Sequence, residues 1–116
     1  MRTMDQQRAE YAWEHVRGRC AKDYANLAKS MPAMVMTNGL MPTLAFLEGK
    51  GDAHHRRLLS DVLGWLIQRQ ILESEPDFRD AMEQLRKMSA REYQRATEET
   101  LAILKWIRHF ADAVKE

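Results

Sequence analysis

The sequence feature that most restricts the fold of this chain is a helical pattern that runs unbroken from about Ala90 to Val114. Ser89 and Glu92 form a capping box at its start, in which each side chain can accept a hydrogen bond from the backbone N–H of the other residue. One apolar face of this helix carries Tyr93, Thr97, Leu101, Leu104 and Ala111, and a second carries Ile103, Trp106, Phe110 and Val114. A helix with two apolar faces is either central to a bundle or leaves one face for a partner. We expect it to be the central post of an all-α fold.

The remaining sequence predicts further helices. Ala, Leu, Met, Glu, Arg and Gln are frequent, and no stretch alternates apolar and polar residues as a strand does. Thr3 with Gln6 predicts the start of a first helix, and Pro32 predicts a kink or restart within the second helical region. Other breaks are expected at Asn38-Gly39, Gly49–Asp52 and Ser74–Asp77. The sequence thus predicts a compact single-domain bundle of about six helices over residues 1–116, with a long C-terminal helix.

Apolar spacing also predicts which helix faces are buried. The first helix has a stripe of residues three and four positions apart, consisting of Ala9, Ala12, Trp13, Val16 and Cys20. A later helix has Leu58, Leu59, Val62, Trp65 and Leu66 on one face. We expect both stripes to face the core.

The charge balance excludes a strongly attractive field for nucleic acid, because 18 Lys and Arg residues face 17 Asp and Glu residues. Cys20 is the only cysteine, so no intrachain disulfide can form and a reducing compartment is indicated. The N-terminal residues lack the apolar run of a secretion signal, and no stretch approaches the ~20 apolar residues of a membrane span. We expect a cytoplasmic protein.

The residues most suited to chemistry form no complete site in the sequence. His54 and His55 are adjacent, and neighbouring helical residues diverge by about 100°, so we expect that they cannot chelate a metal as a pair. Cys20 occupies an apolar stripe and is expected to be a small core residue. Glu98 and Glu99 are expected on a polar surface that does not desolvate them. The sequence therefore predicts no enzymatic activity, no metal site and no cofactor.

Basic residues cluster in two places. The first group contains Arg17, Arg19 and Lys22, and the second contains Lys50, Arg56 and Arg57. Such groups are either a solvated surface or contacts for a polyanion. Because no aromatic residues are interleaved with them, any RNA contact is expected through phosphates and not through base stacking.

Three segments of the chain resemble the Cmr small-subunit family of type III-B CRISPR complexes. Within residues 27–47, the matching positions are Lys29, Pro32, Gly39, Leu40, Leu44, Ala45 and Phe46. Near the end of the chain they are Tyr93, Thr97, Glu99, Leu101, Trp106, Arg108, Phe110 and Ala111, and in the first helix Gln6, Ala9, Ala12 and Val16. Pro42 and His109 depart from the family pattern, where glutamine and a second basic residue are often found.

The resemblance implies a non-catalytic structural role in antiviral defence. In such complexes, small subunits stack head to tail beside a filament of backbone subunits, and they help to form the groove that holds guide RNA and target RNA. Cleavage belongs to the backbone subunits and cyclic-nucleotide synthesis to the large subunit. The candidate RNA-facing residues are Arg17, Arg19, Lys22, Lys29, Lys50, Arg56, Arg57 and Arg108. The alternative is a helical adaptor or dimerisation module that makes no nucleic-acid contact.

Overall fold

The computed structural model of the protein describes residues 1–18, 20–73 and 77–116. These ranges contain six α-helices and no β-strand, which confirms the all-α prediction. The helices are α1 (Met4–Val16), α2 (Lys22–Asn38), α3 (Leu40–Lys50), α4 (Ala53–Gln68), α5 (Phe78–Arg86) and α6 (Ala90–Val114). None of these helices has the length together with the apolar character that crossing a membrane requires.

Side-chain caps fix the start of most helices, because the first backbone amides of a helix have no intrahelical acceptor. The capping boxes predicted at Thr3 and Ser89 are both present. Asp52 accepts a hydrogen bond from the first turn of α4, and Asp77 does so for α5. The rest of the predicted start signal before α5, residues 74–76, lies outside the described residues.

The turns around α3 depend on two glycines with positive φ angles. Gly39, at φ 94°, separates α2 from α3, and Gly51, at φ 70°, ends α3. Side chains with a Cβ rarely adopt these angles, so glycine suits both positions. The end of α3 lies slightly later than the sequence predicts, since Gly49 and Lys50 still belong to this helix.

Of the kink or restart predicted at Pro32, the restart is wrong, because α2 continues through this residue. Proline removes one helical hydrogen bond and costs about 3 kcal/mol in a helix interior. However, Met31 and Val35 are buried on either side of it, and α2 lies along α6. We infer that this packing on both sides of the proline offsets its local cost.

The last helix is the central element of the described structure, as predicted. α6 packs against α1, α2, α3 and α4. It runs parallel to α1, since Arg8 contacts Glu99 and Trp13 contacts Phe110. It runs antiparallel to α2, because Cys20, just before α2, contacts Ala111 near the end of α6, whereas Met41, just after α2, contacts Tyr93 near the start of α6. A polar contact supports the start of α3, where the Met41 N–H donates to the Tyr93 hydroxyl over 3.0 Å.

All six helices contribute side chains to one hydrophobic core. The predicted α4 face is fully buried, but the stripe predicted for α1 is wrong at one position. Trp13 is 41% exposed, and Tyr11 is buried instead. The Tyr11 hydroxyl donates to the backbone carbonyl of Asp61 over 2.6 Å, so its polar end is satisfied inside. A Cβ at Gly64 would lie 2.5 Å from this hydroxyl, so the close approach of α1 to α4 requires glycine there.

Candidate nucleic-acid interface

Two of the basic residues predicted to face RNA lie together at one open cavity. Arg17 at the end of α1 and Arg57 on α4 both line this cavity, whose volume is about 440 Å³. The lining also includes Glu14, His15, Gly18 and Asp61. The two arginines belong to separate groups in the sequence, and packing of α4 against its neighbours brings them to one place.

Arg57 is held in a defined orientation by three groups. Its guanidinium carbon lies 4.3 Å from the centre of the Tyr24 ring, a cation–π distance. Its Nη2 donates to the backbone carbonyl of His15. Its Nε lies 3.9 Å from a carboxylate oxygen of Asp61. Arg57 is therefore positioned before any ligand binds, which lowers the entropy cost of binding.

Asp61 is the buried anion behind this cavity. Its carboxylate accepts a 2.6 Å hydrogen bond from the Tyr24 hydroxyl. Burial raises the pKa of Asp61 above its ordinary value, and the hydrogen bond and the positive charge of Arg57 offset only part of that effect. Burial also raises the pKa of both Tyr11 and Tyr24, with the Asp61 charge adding to it. Both phenols therefore stay neutral and act as hydrogen-bond donors.

Arg17 and Lys22 are exposed cations at the end of α1 and the start of α2. Arg17 forms a 3.6 Å ion pair with Glu14, one turn earlier in α1. Exposed pairs of this kind contribute little, about 0–1 kcal/mol. Lys22 is exposed at the first position of α2, two residues before the Tyr24 that supports Arg57. Arg19, between them in sequence, lies outside the described residues.

The other predicted RNA-facing residues lie elsewhere. Arg56 lines a different cavity of about 720 Å³, bounded by α3, α4 and the start of α5. Lys50 lies 5.6 Å from the centre of the Phe46 ring. Lys29 pairs with Asp112 at 3.6 Å, and Arg108 is half-buried on α6. Among the seven candidates that the structure describes, Arg17 and Arg57 are therefore the two that line one cavity together.

A cluster of aromatic side chains lies where α1 meets α6. The Trp13 ring meets the Phe110 ring edge-on at 5.4 Å, and Trp106 lies 5.7 Å from Phe110. Trp106 and Phe110 are only partly buried. This cluster, the aromatic face, leaves part of one apolar side of α6 accessible. Because Arg17 follows Trp13 by one helical turn, the aromatic face borders the cavity lined by Arg17 and Arg57, a neighbourhood that the sequence pattern did not indicate.

The expectation that Glu99 lies on a polar surface is wrong, because Glu99 is only 7% exposed. Its carboxylate accepts two hydrogen bonds from Arg8, at 2.8 and 3.1 Å, and one from the Trp65 indole at 3.0 Å. Burial raises the pKa of Glu99, but these bonds and the nearby arginine charges outweigh it and leave the pKa below its ordinary value. The spacing of Ala96, Glu99 and Ile103 on one helix face could have indicated this burial.

The histidine pair also differs from expectation. Donor atoms of Asp52, His54 and His55 lie within 4.8 Å of one another at the start of α4, so the two imidazole rings do not diverge as ideal helix geometry suggests, and the statement that they cannot chelate a metal as a pair stays a prediction. The 100° divergence applies to side chains that point straight outward, whereas both rings here turn back toward the capping carboxylate.

Cys20 is buried as predicted, and burial raises the pKa of its thiol, which makes it a weak nucleophile.

Comparison with known proteins gives a consistent assignment. The family model for the CRISPR-associated protein family Cas_Cmr5 matches residues 4–114. The CRISPR system Cmr subunit Cmr5 of Thermus thermophilus is 33% identical over 120 aligned positions, covering 100% of this chain and 99% of that protein. The crystal structure of a CRISPR-associated Cmr5 family protein from the same organism superposes with a TM-score of 0.80 at 33% identity, with 100% of both chains covered. The chain therefore belongs to the Cmr5 family.

Proposed function

We propose that this chain, acting as one domain over residues 1–116, is a non-catalytic structural subunit of a type III-B CRISPR (Cmr) ribonucleoprotein complex in the cytoplasm. Its partners are the backbone and large subunits, further copies of itself arranged head to tail, and the guide and target RNAs of antiviral defence. Family membership supports the assembly, since the similar Thermus thermophilus protein is named a Cmr subunit. The non-catalytic role agrees with the two most buried carboxylates, Asp61 and Glu99, which are both engaged by internal donors.

The observation that carries the RNA contact is the convergence of Arg17 and Arg57 on one open cavity, and Lys22 is a further exposed cation at the nearby start of α2 in the sequence. Guanidinium groups bind phosphate oxygens through directed hydrogen bonds. With a net charge of only +1, a single copy binds RNA weakly. Several copies aligned in one complex raise the effective concentration of these weak contacts. The target sequence is then recognised by base pairing between guide RNA and target RNA.

A double charge reversal tests this contact. Arg17→Glu with Lys22→Glu avoids Arg57, whose loss would expose the buried Asp61. The matched control is Arg91→Glu with Arg95→Glu, two exposed cations in the first turns of α6 that change net charge equally. They lie roughly 25 Å along α6 from Phe110, at 1.5 Å per residue. Each variant is assembled with the other Cmr subunits and guide RNA, and target RNA binding is measured by filter retention at two salt concentrations.

We expect the Arg17/Lys22 variant to bind target RNA about tenfold more weakly at low salt, and the control to bind like the unaltered complex. Each lost contact to single-stranded RNA removes about 0.7 from the slope of log affinity against log salt, so two lost contacts flatten it by about 1.4. The difference between the complexes therefore narrows at high salt. Equal affinity and equal slope for both variants would refute the assignment of these residues.

The aromatic face favours a second function, contact with a neighbouring protein subunit, because Trp13 is 41% exposed beside two further aromatic rings. Exposed aromatic clusters are common binding centres in protein interfaces. We expect Trp13→Ala to reduce incorporation of the chain into the complex while its helical content stays unchanged. Co-purification distinguishes a subunit of the Cmr complex from the alternative, a helical adaptor. A subunit of the RNA-guided complex retains backbone protein and guide RNA, whereas a helical adaptor retains protein alone.

A further inference from the structure

Three potential metal ligands lie together at the N-terminal end of α4. The His55 Nδ1 lies 2.5 Å and the His54 Nδ1 lies 3.5 Å from the same oxygen of Asp52, and one donor atom of each residue lies within 4.8 Å of the others. Donors that share one zinc ion at bond lengths of about 2.0–2.1 Å are about 3 Å apart. Small side-chain rotations would therefore place all three around one ion. We propose that Asp52, His54 and His55 form a binding site for a divalent transition metal ion, with its remaining coordination positions open to water or to a group from outside the chain.

Two of these ligands are held in place by the fold. The His55 side chain is 11% exposed and its ring meets the Phe46 ring at 5.7 Å, so packing between α3 and α4 limits its rotation. Asp52 is fixed as the N-cap of α4, where one carboxylate oxygen accepts the backbone N–H of His55 over 3.2 Å. His54 is more exposed and lies 4.6 Å from His55 between ring centres. The site is thus partly organised and remains open to solvent on the His54 side.

The donor set selects the kind of ion. Two imidazole nitrogens and one carboxylate oxygen suit Zn²⁺, Co²⁺, Ni²⁺ or Cu²⁺, whereas Mg²⁺ and Ca²⁺ prefer oxygen ligands alone. The positive end of the α4 dipole opposes a bound cation, and so does the nearby basic residue Lys50, which lies against Phe46. The carboxylate of Asp52 offsets part of this repulsion. We expect binding in the micromolar range, weaker than at a four-ligand structural zinc site.

Titration of the isolated, untagged chain tests the site. Co²⁺ is added while its visible absorption bands are recorded, and Zn²⁺ binding is measured by calorimetry. We expect saturable binding of one ion per chain, displacement of Co²⁺ by Zn²⁺, and no competition from Mg²⁺ at tenfold higher concentration. The control variant is His109→Ala, which removes an exposed histidine of α6 far from these ligands in sequence.

The variants give distinct outcomes. His54→Ala and Asp52→Asn should each weaken Zn²⁺ binding at least about tenfold, and asparagine keeps the helix cap because it is as good an N-cap as aspartate. His109→Ala should bind like the unaltered chain. Absence of saturable binding, or equal binding by His54→Ala and the unaltered chain, would overturn the proposal. His54 is partly exposed, so its replacement leaves the fold intact, and the result does not depend on the RNA role proposed above.

Discussion

Replacing Glu99 by glutamine should destabilise the protein severely, although the substitution changes almost no volume. The Glu99 carboxylate accepts both bonds from the Arg8 guanidinium and the bond from the Trp65 indole. Arg69 also approaches it, with its Nε 4.0 Å away and no hydrogen-bond partner of its own in the described structure. One buried anion thus balances two arginines from α1 and the end of α4. Glutamine removes that charge and turns an N–H toward one of the arginine donors.

The magnitude follows from what remains after the substitution. Removing one partner of a buried ion pair costs about 3–5 kcal/mol. Arg8 keeps partial solvent access and a second partner, Asp5 at 3.0 Å, so its charge is not fully stranded. The remaining glutamine oxygen can still accept the Trp65 N–H. We therefore expect the lower end of the range, about 3 kcal/mol, which corresponds to a drop in Tm of roughly 10 °C for a chain of this length.

Urea unfolding followed by circular dichroism measures this effect. Glu98→Gln is the control, because Glu98 is the neighbouring glutamate on the exposed side of α6 and should change stability by less than about 0.5 kcal/mol. The folded-state pKa of Glu99 is lowered, so its stabilisation is present above the ordinary glutamate pKa and is lost as pH falls through the folded value. The Glu99→Gln variant and the unaltered protein should therefore have similar free energies of unfolding in acid. A loss below about 0.5 kcal/mol at neutral pH, no larger than an ordinary surface change, would refute this account of the ion cluster.

Two further substitutions test the packing of α1 on α4 and the buried charge of Asp61 at the cavity lined by Arg17 and Arg57. Gly64→Ala should destabilise by about 1–3 kcal/mol, because its Cβ would meet the Tyr11 hydroxyl at 2.5 Å. The control is Gly49→Ala, a helical position with no atom within 4 Å of the new Cβ, which should stabilise by about 0.5–1 kcal/mol. Equal shifts in Tm for Gly64→Ala and Gly49→Ala would contradict this account of the packing. The pKa of Asp61 is raised in the folded chain, so the folded chain holds this proton more tightly than the unfolded chain does. The contribution of Asp61 to stability therefore falls as pH rises from the ordinary aspartate pKa toward the folded-state pKa. Asp61→Asn should therefore gain stability relative to the unaltered protein across that pH window in urea unfolding, and a difference that does not vary with pH would be inconsistent with a raised pKa.

The local features of this fold were predictable because they depend on residues close in sequence. The capping boxes at Thr3 and Ser89 and the cap at Asp52 each involve residues three positions apart. The start of α6 follows from such a signal alone. The restart expected at Pro32 fails because long-range packing of α2 along α6 outweighs a local cost, and no short window of sequence contains that packing.

The site was less predictable, because the position of a charge depends on which helices meet. Glu98 and Glu99 are identical neighbours, yet Glu99 is buried by the arginines that α1 and the end of α4 bring to it. The expectation for His54 and His55 rests on ideal helix geometry, which does not describe side chains that fold back onto an N-cap. In both cases the residue types and their helical positions were predictable, and the missing information was the set of partners that each side chain meets.

Arg56 and Arg57 show what this means for the proposed RNA contact. They form one basic group in the sequence, but they line different cavities. Arg57 instead joins Arg17, and the two approach from different helices toward one opening. Arg57 is already held by Tyr24 and the His15 carbonyl, so it loses little conformational freedom when a phosphate binds. Cations grouped by tertiary structure and oriented in advance are better suited to bind a phosphate than cations adjacent only in sequence, and this favours the Arg17–Arg57 edge over the Arg56 side of α4.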